Sequence, residues 1–476
     1  MISNLTLTKE SFRLLELLVQ SQVRFVHWKS NCRLIESLEG KTDLDILVHP
    51  DSKVTFEECM AALGYKKLVS PPWSAYPEVE DWLAFDRETG RFLHLHIHFA
   101  LVTGLKHIKH LNLPWLDKFF DNIQIDSETG WPIPIPEMET LILFIRVAAK
   151  MPPQERWNSE AIPDHILSEL SALLKKIDVH KFAQLYAVVG LIPPSDIKAR
   201  VERIIEEQNT DEVLTIAKES YLQVKRFYRM PWLQARLKSK RYATYIKGVN
   251  RMLPLIGPIR LRKRIEDGGK IFAFVGSDGS GKSTITNDLI RWLSYKIDCH
   301  YLYLGKQPFF KSYGKTVRST SDLLFRSEVG RRFTLKAIGN YYFIVLIKRK
   351  ISLLKRAHEL KQEGSVVICD RFPQLSVKGM SDGMFLQEEG RGKLSEVERR
   401  LFLKTVEYEP DIVFKLVVSP EVASARKPEH DASQIRKKCQ SIDMVTFSKS
   451  RTIEINADRP YEEVLREIQQ EIWKAL

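Results

Sequence analysis

The sequence predicts an α/β protein made of two separate α/β bodies, and three observations carry that expectation. A chain of 476 residues exceeds the roughly 100–200 residues of one domain. Short apolar runs alternate with helical periodicity near both ends of the chain. Between them the pattern is first purely helical and then strongly basic. These changes divide the chain into an α/β domain over 1–135, a helical appendage over 136–220, a basic connector over 221–265 and a second α/β domain over 266–476.

In the first domain, Phe12, Leu14, Leu15, Leu17 and Leu18 recur at helical spacing within 8–20, and Val23 to His27 reads as a strand. A second strand is expected over Leu44–Val48, a helix over Phe56–Leu63 and a third strand over Phe92–Phe99. The appendage carries helical patterns over Leu141–Ala149, Ile166–Leu174, Phe182–Val189, Val201–Glu206 and Val213–Lys218, with proline pairs at 152–153 and 193–194 as breakers. The net charge of +13 is concentrated rather than spread: residues 221–264 hold thirteen Lys and Arg and no Asp or Glu. Phe227, Tyr228, Trp232, Tyr242 and Tyr245 interleave with them, and Met252 to Ile256 form an apolar cluster. Such a stretch suits a solvated collar that attracts nucleotide, an anionic membrane surface or, less well, a nucleic-acid backbone. A second basic face runs from Arg331 to Lys361, where nine Lys and Arg accompany one acid, Glu359.

Composition excludes several classes. Hydrophobic residues at 44% and charged residues at 28% are ordinary for a folded protein, so disorder is not indicated. Met1 to Glu10 lacks the apolar run of a signal peptide, and the greasy stretch at Tyr341–Ile347 falls far short of a ~20-residue membrane span. A cytoplasmic protein, with peripheral membrane contact through 221–264, is expected. Five cysteines without a C-x-x-C pair indicate reduced thiols. The oligomeric state is left open, a homodimer included.

The strongest motif is Gly276-Ser-Asp278-Gly279-Ser280-Gly281-Lys282-Ser283-Thr284, a G-x-x-x-x-G-K-[ST] phosphate loop. The apolar run Ile271 to Val275 precedes it and a helical pattern from Ile285 to Leu293 follows. Glycines let main-chain N–H groups turn toward phosphate oxygens, Lys282 supplies positive charge, and the Ser283 hydroxyl at the helix start suits Mg2+. Further on, Ser365 to Asp370 is a buried strand ending in Asp370-Arg371-Phe372 at the edge where ligands bind in parallel sheets. Asp370 is expected to hold Mg2+ or accept a proton, Arg371 to bind phosphate, and Phe372 to wall an organic acceptor.

With these residues in view, the chain from about Gly269 to Leu476 resembles the thymidylate kinase family of P-loop nucleoside monophosphate kinases. Asp278 to Thr284 match its acidic-then-glycine loop and Asp370-Arg371-Phe372 its Asp-Arg-aromatic element. The strand after Pro410 looks like the one leading to the family's lid, so Arg426 falls on the lid arginine, with Lys427, Arg436, Lys437 and Lys438 nearby. The resemblance implies a parallel sheet with flanking helices, ATP and Mg2+ as cofactors, catalytic roles for Lys282, Asp370, Arg371 and Arg426, and dTMP as the acceptor. The family's Arg-Glu-Pro element is replaced by Gly305-Lys306-Gln307-Pro308, so a different phosphate- or hydroxyl-bearing acceptor stays open. An ATP-binding regulatory or membrane-recruited module without robust turnover is the alternative.

His27-Trp-Lys29-Ser30-Asn31 and Thr42-Asp43-Leu-Asp45 resemble the nucleotidyltransferase fold over about the first 100 residues. Asp43 and Asp45 point to one strand face and are expected to share one Mg2+ on nucleotide phosphates. Where the fold calls for a third carboxylate this sequence has His94-Leu-His96-Ile-His98. The three histidines suit a transition metal, a phosphate or a structural stripe, because three alternating imidazoles on one strand converge poorly on one ion.

Overall fold

A computed structural model describes residues 7–150, 162–207, 210–256, 262–266, 268–305, 328–386 and 393–476. It separates into two compact units, Met1–Lys263 and Arg264–Leu476. The basic stretch therefore falls almost wholly in the first unit.

In the first unit, strands β1 (Phe25–His27), β2 (Leu44–Val48), β3 (Lys66–Val69), β4 (Val79–Phe85) and β5 (Phe92–His98) lie in the order β1-β2-β5-β4-β3. The β2–β5 pair is parallel, and the β1–β2, β5–β4 and β4–β3 pairs are antiparallel. One core joins Leu14 and Leu18 of helix α1 (Lys9–Gln20) to Phe56 and Met60 of α3 (Lys53–Leu63) and to Ile46, Leu95 and Ile97 of the sheet. Thr8 caps α1, its hydroxyl accepting from the Ser11 N–H at 3.2 Å. Helix α2 (Leu34–Leu38) precedes β2.

Two small hairpins follow, β6 (Leu101–Thr103) with β7 (Leu111–Leu113) and β8 (Ile123–Ile125) with β9 (Pro132–Pro134), with the short α4 (Leu116–Phe120) between them. Among the described residues, helices α5 (Pro136–Lys150), α6 (Asp164–Leu174), α7 (Val179–Val188), α8 (Ile197–Glu207) and α9 (Thr210–Val224) form the helical region. Its core is continuous with the sheet, because Phe144, Phe182 and Ile216 share a cluster with Val26, Trp28 and Leu47. No packing boundary therefore falls at 135. Pro152 and Pro153 lie outside the described residues.

The expected connector is largely a helix, α10 (Trp232–Ile256). Its aromatics pack onto the first unit, Tyr242 on His107 and Tyr245 on Trp73, and just before it Phe227 meets Trp115. Long Lys and Arg stems tolerate a helix, and the absence of acids says nothing against one. The side chains of Met252 to Ile256 lie outside the described residues. Among the described residues no helix is long and apolar enough to cross a membrane.

In the second unit a short strand β10 (Arg264–Ile265) precedes a five-stranded parallel sheet. Its strands are β11 (Lys270–Gly276), β12 (Cys299–Tyr303), β13 (Val366–Asp370), β14 (Ile412–Val417) and β15 (Arg451–Asn456), in the order β12-β13-β11-β14-β15. Near-continuous apolar strands such as Ile271 to Val275, all buried, are what a parallel sheet covered by helices requires. Helix α11 (Lys282–Ser294) packs on β12 and β13, and α12 (Glu328–Gln362) on β11 and β13. Among the described residues of the unit there follow α13 (Lys393–Thr405), α14 (Pro420–Arg426), α15 (Ala432–Asp443) and α16 (Tyr461–Ala475). The side chains of Arg331, Arg332 and Lys336 lie outside the described residues.

Candidate functional site

Strand β11 delivers the chain into the phosphate loop, and α11 leaves it at Lys282. Gly279 and Gly281 both sit at φ +85°, in the region that glycine enters without strain. A Cβ on Gly279 would also stand 2.7 Å from the Ala423 carbonyl oxygen, so α14 is pressed against the loop. Lys282 is buried, and its amine donates to the carbonyls of Gly276 at 2.8 Å and Ser277 at 2.6 Å, with the Ser280 hydroxyl at 3.3 Å. Burial, joined by the Arg371 guanidinium, pushes this amine down to about 8 against the pull of Asp278, Asp370 and Asp382.

Parallel register brings β13 alongside the loop: Asp370 pairs with Phe274 on one side and with Tyr303 on the other. Asp370 is 1% exposed. Its Oδ2 accepts from the Ser283 and Tyr301 hydroxyls, both at 3.0 Å, while Oδ1 is buried without a hydrogen-bond partner. An ionised oxygen left so would be costly, and a hard cation shared with the Ser283 hydroxyl would satisfy it, so these residues fit Mg2+.

Arg371 occupies the left-handed region at φ 71°, which a non-glycine residue holds only when its surroundings fix it. Its guanidinium reaches Asp382 at 3.4 Å and Asp278 at 3.7 Å. Burial opposes its charge, but Asp382, Tyr303 and Asp278 outweigh that and raise its pKa. Lys350 holds the other oxygen of Asp382 at 3.0 Å. Asp278 is also clamped by Lys438 of α15 at 2.5 Å. Arg426 extends to the Gly279 carbonyl at 3.4 Å, and Thr284 is exposed on α11.

The structure thus brings together Gly276, Asp278, Gly279, Ser280, Gly281, Lys282, Ser283, Asp370, Arg371 and Arg426. Phe372 is a correction. It is 1% exposed and belongs to the core with Leu354 and Cys369, against Phe447, so it cannot wall an acceptor. The reason is the turn at Arg371, which directs the guanidinium to the site while the next side chain goes inward. Asp382, Tyr301 and Lys350 were missed as site residues; only an Asp-Gly pair and one lysine of a basic helix marked two of them. Lys306, Gln307 and Pro308 lie outside the described residues.

In the first unit Asp43 and Asp45 are divided. Asp43 Oδ1 lies 2.8 Å from His94 Nδ1, whereas Asp45 Oδ1 takes the Lys29 amine at 2.5 Å and His96 Nδ1 at 3.1 Å. The far nitrogen of His94 lies 3.1 Å from Asp81 Oδ1, which also holds Lys263 at 2.5 Å. Burial opposes the charge of Asp81, yet His94, His96 and Lys263 hold its carboxyl well below the usual range. Asp81 was not singled out from sequence, because β4 itself was not expected. Asp43, Asp45 and Lys29 line a cavity of about 290 Å³ with Arg33, Arg146 and Lys150.

Comparison with known proteins agrees with the geometry of the second unit. Residues 274–468 match the family model for thymidylate kinase. That segment is similar to thymidylate kinase family domains. The chain is 27% identical over 230 residues to the "Uncharacterized ATP-binding protein YghR" of Escherichia coli (strain K12), covering 42% of this chain and 86% of that protein. To YghS of the same organism, also described as an uncharacterized ATP-binding protein, it is 29% identical over 222 residues, 41% of this chain and 90% of YghS. The thymidylate kinase of Bacillus cytotoxicus is 24% identical over 222 residues, which cover 42% of this chain and 95% of that enzyme.

Proposed function

We propose that the second unit is an ATP-dependent phosphotransferase of the thymidylate kinase type, transferring the terminal phosphoryl group of ATP to a nucleotide acceptor beside Arg371, with dTMP the first candidate. The observation that carries this reading is the convergence of Lys282, the Ser283–Asp370 pair and Arg371 at one end of the parallel sheet. Main-chain N–H groups from Gly279 to Ser283 and the start of α11 would face the phosphates, and Lys282 would neutralise their outer oxygens. Ser283 and Asp370 would hold Mg2+, which when bound shields phosphate charge. Arg371, fixed by Asp382 and Asp278, keeps its charge at any working pH and is oriented before an acceptor arrives. Arg426, which reaches a main-chain carbonyl of the loop, brings further positive charge there, where charge on peripheral phosphoryl oxygens needs electrostatic support.

The test is ADP release by the full chain with ATP, Mg2+ and a panel of dTMP, other nucleoside monophosphates, sugars and lipid alcohols. Acceptor-dependent release that Lys282→Met abolishes is expected. Saturable ATP binding with no acceptor-dependent turnover would overturn the kinase reading in favour of an ATP-binding regulatory module.

A further inference from the structure

The imidazole cluster of the first unit is not used by the phosphate-loop chemistry. Asp45 on β2 and His96 on β5 are partners in a parallel ladder, and His98 follows two residues later on the same strand face. Asp45 Oδ1 lies 3.1 Å from His96 Nδ1 and 3.8 Å from His98 Nε2, and one donor atom from each residue falls within 4.8 Å of the others. Ligands about 2.1 Å from a tetrahedral ion stand roughly 3.4 Å apart, so the two distances from Asp45 bracket what an ion requires.

His98 gives the independent sign. It is 0% exposed, and neither of its ring nitrogens has a hydrogen-bond partner. Nε2 only faces Asp45 Oδ1 from 3.8 Å, beyond hydrogen-bond reach, so the desolvation cost of this buried imidazole is offset only in part, and coordination by one nitrogen would offset it further. His94 is differently occupied, bridging Asp43 and Asp81 through its two nitrogens.

We propose that Asp45, His96 and His98 form a binding site for a divalent transition-metal ion of the zinc or cobalt class. Two imidazoles and one carboxylate suit such ions, whereas Mg2+ asks for oxygen ligands in an octahedron. Asp45 is also one of the two carboxylates expected to hold Mg2+, and both line one cavity, so Mg2+ is a competing ion to include in the test. Three protein ligands leave a fourth position for water or an anionic ligand. Lys29, whose amine is 2.5 Å from Asp45 Oδ1, is the competing cation: the metal takes its carboxylate and leaves the ammonium to the cavity that Lys29 also lines.

The experiment titrates the chelator-stripped full chain with Co2+ in excess Mg2+, followed by visible absorption and calorimetry. One equivalent of Co2+ with the intense bands of a low-coordinate site is expected. His96→Ala and His98→Ala should each weaken binding by more than about 100-fold, above the roughly 10- to 100-fold that the loss of an outer partner costs. Lys29→Met should tighten binding about tenfold by removing a competing charge. Circular dichroism checks that each variant folds, and the wild-type and Lys29→Met titrations decide the matter if a histidine variant does not. Absence of saturable Co2+ binding in the wild type, or binding that Lys29→Met and folded His98→Ala leave unchanged, would overturn the proposal.

Discussion

Lys282 in the second unit and Lys29 in the first are both buried lysines close to aspartates, yet their amines are held differently. Lys282 donates to two main-chain carbonyls and a hydroxyl, all neutral, whereas Lys29 rests on the carboxylate of Asp45. A cation among dipoles keeps its charge for an incoming anion. A cation on a carboxylate has spent most of its field locally and exchanges for another cation. On the proposed readings, the same residue type serves phosphate in one unit and guards a metal-binding carboxylate in the other.

The largest effect should come from removing the charge kept by dipoles. Lys282→Met is expected to lower phosphoryl transfer about 10²- to 10³-fold with the fold intact, measured as acceptor-dependent ADP release. A loss of less than tenfold would break the contrast.

On the ionic side, Asp81→Asn strands Lys263 and His94 and should destabilise the first unit by about 3 kcal/mol in denaturant unfolding. Near-wild-type stability would mean that the buried charges are not coupled through Asp81.

Glu139 probes the helical side of the same unit. Burial pushes its carboxyl up to about 7, against the Asn31 N–H and Arg146 and with the help of Glu169. The folded chain therefore keeps a proton that the unfolded chain releases, so this contribution is complete below the ordinary carboxylate range and is lost as pH rises through 7. Stability should fall by roughly 2 kcal/mol between pH 5 and 7 from this group, and Glu139→Gln should flatten that slope. An unchanged slope in the variant would refute the assignment.

The smallest effect concerns Lys282 again. With its amine at about 8 before nucleotide arrives and higher beside phosphate, ATP affinity should decline above pH 8 by up to about tenfold per unit, with proton uptake on binding. Calorimetry in buffers of different ionisation enthalpy reads that proton, and its absence would show that Lys282 stays charged throughout.

Much of the second unit was legible because its signals are contiguous. Strand, loop and helix from Ile271 to Leu293 appear in order, and Asp370 and Arg371 end a plainly apolar strand. Phe372 was misread because side-chain direction beyond a strand end depends on the turn, here the left-handed Arg371. In the first unit β3 and β4 escaped notice: Lys66-Lys-Leu-Val is short, and Val79-Glu-Asp-Trp-Leu-Ala-Phe mixes charge with apolar residues without clean alternation. Missing β4 meant missing Asp81. The basic stretch was read as a connector because charge reports solvation more directly than helicity, while its aromatics find partners only in the fold.

Sequence alone determined the phosphate loop, since a tight turn between a strand and a helix is a local matter of φ, ψ and glycine. It also determined the parallel character of the second sheet, through apolar strands alternating with helices. Tertiary structure alone decided that His96 and His98 face Asp45, that His94 bridges Asp43 and Asp81, and that Asp382 steadies Arg371. Those meetings depend on register between strands far apart in the chain or on the path of a turn, and one residue of slippage would send each strand side chain to the opposite face.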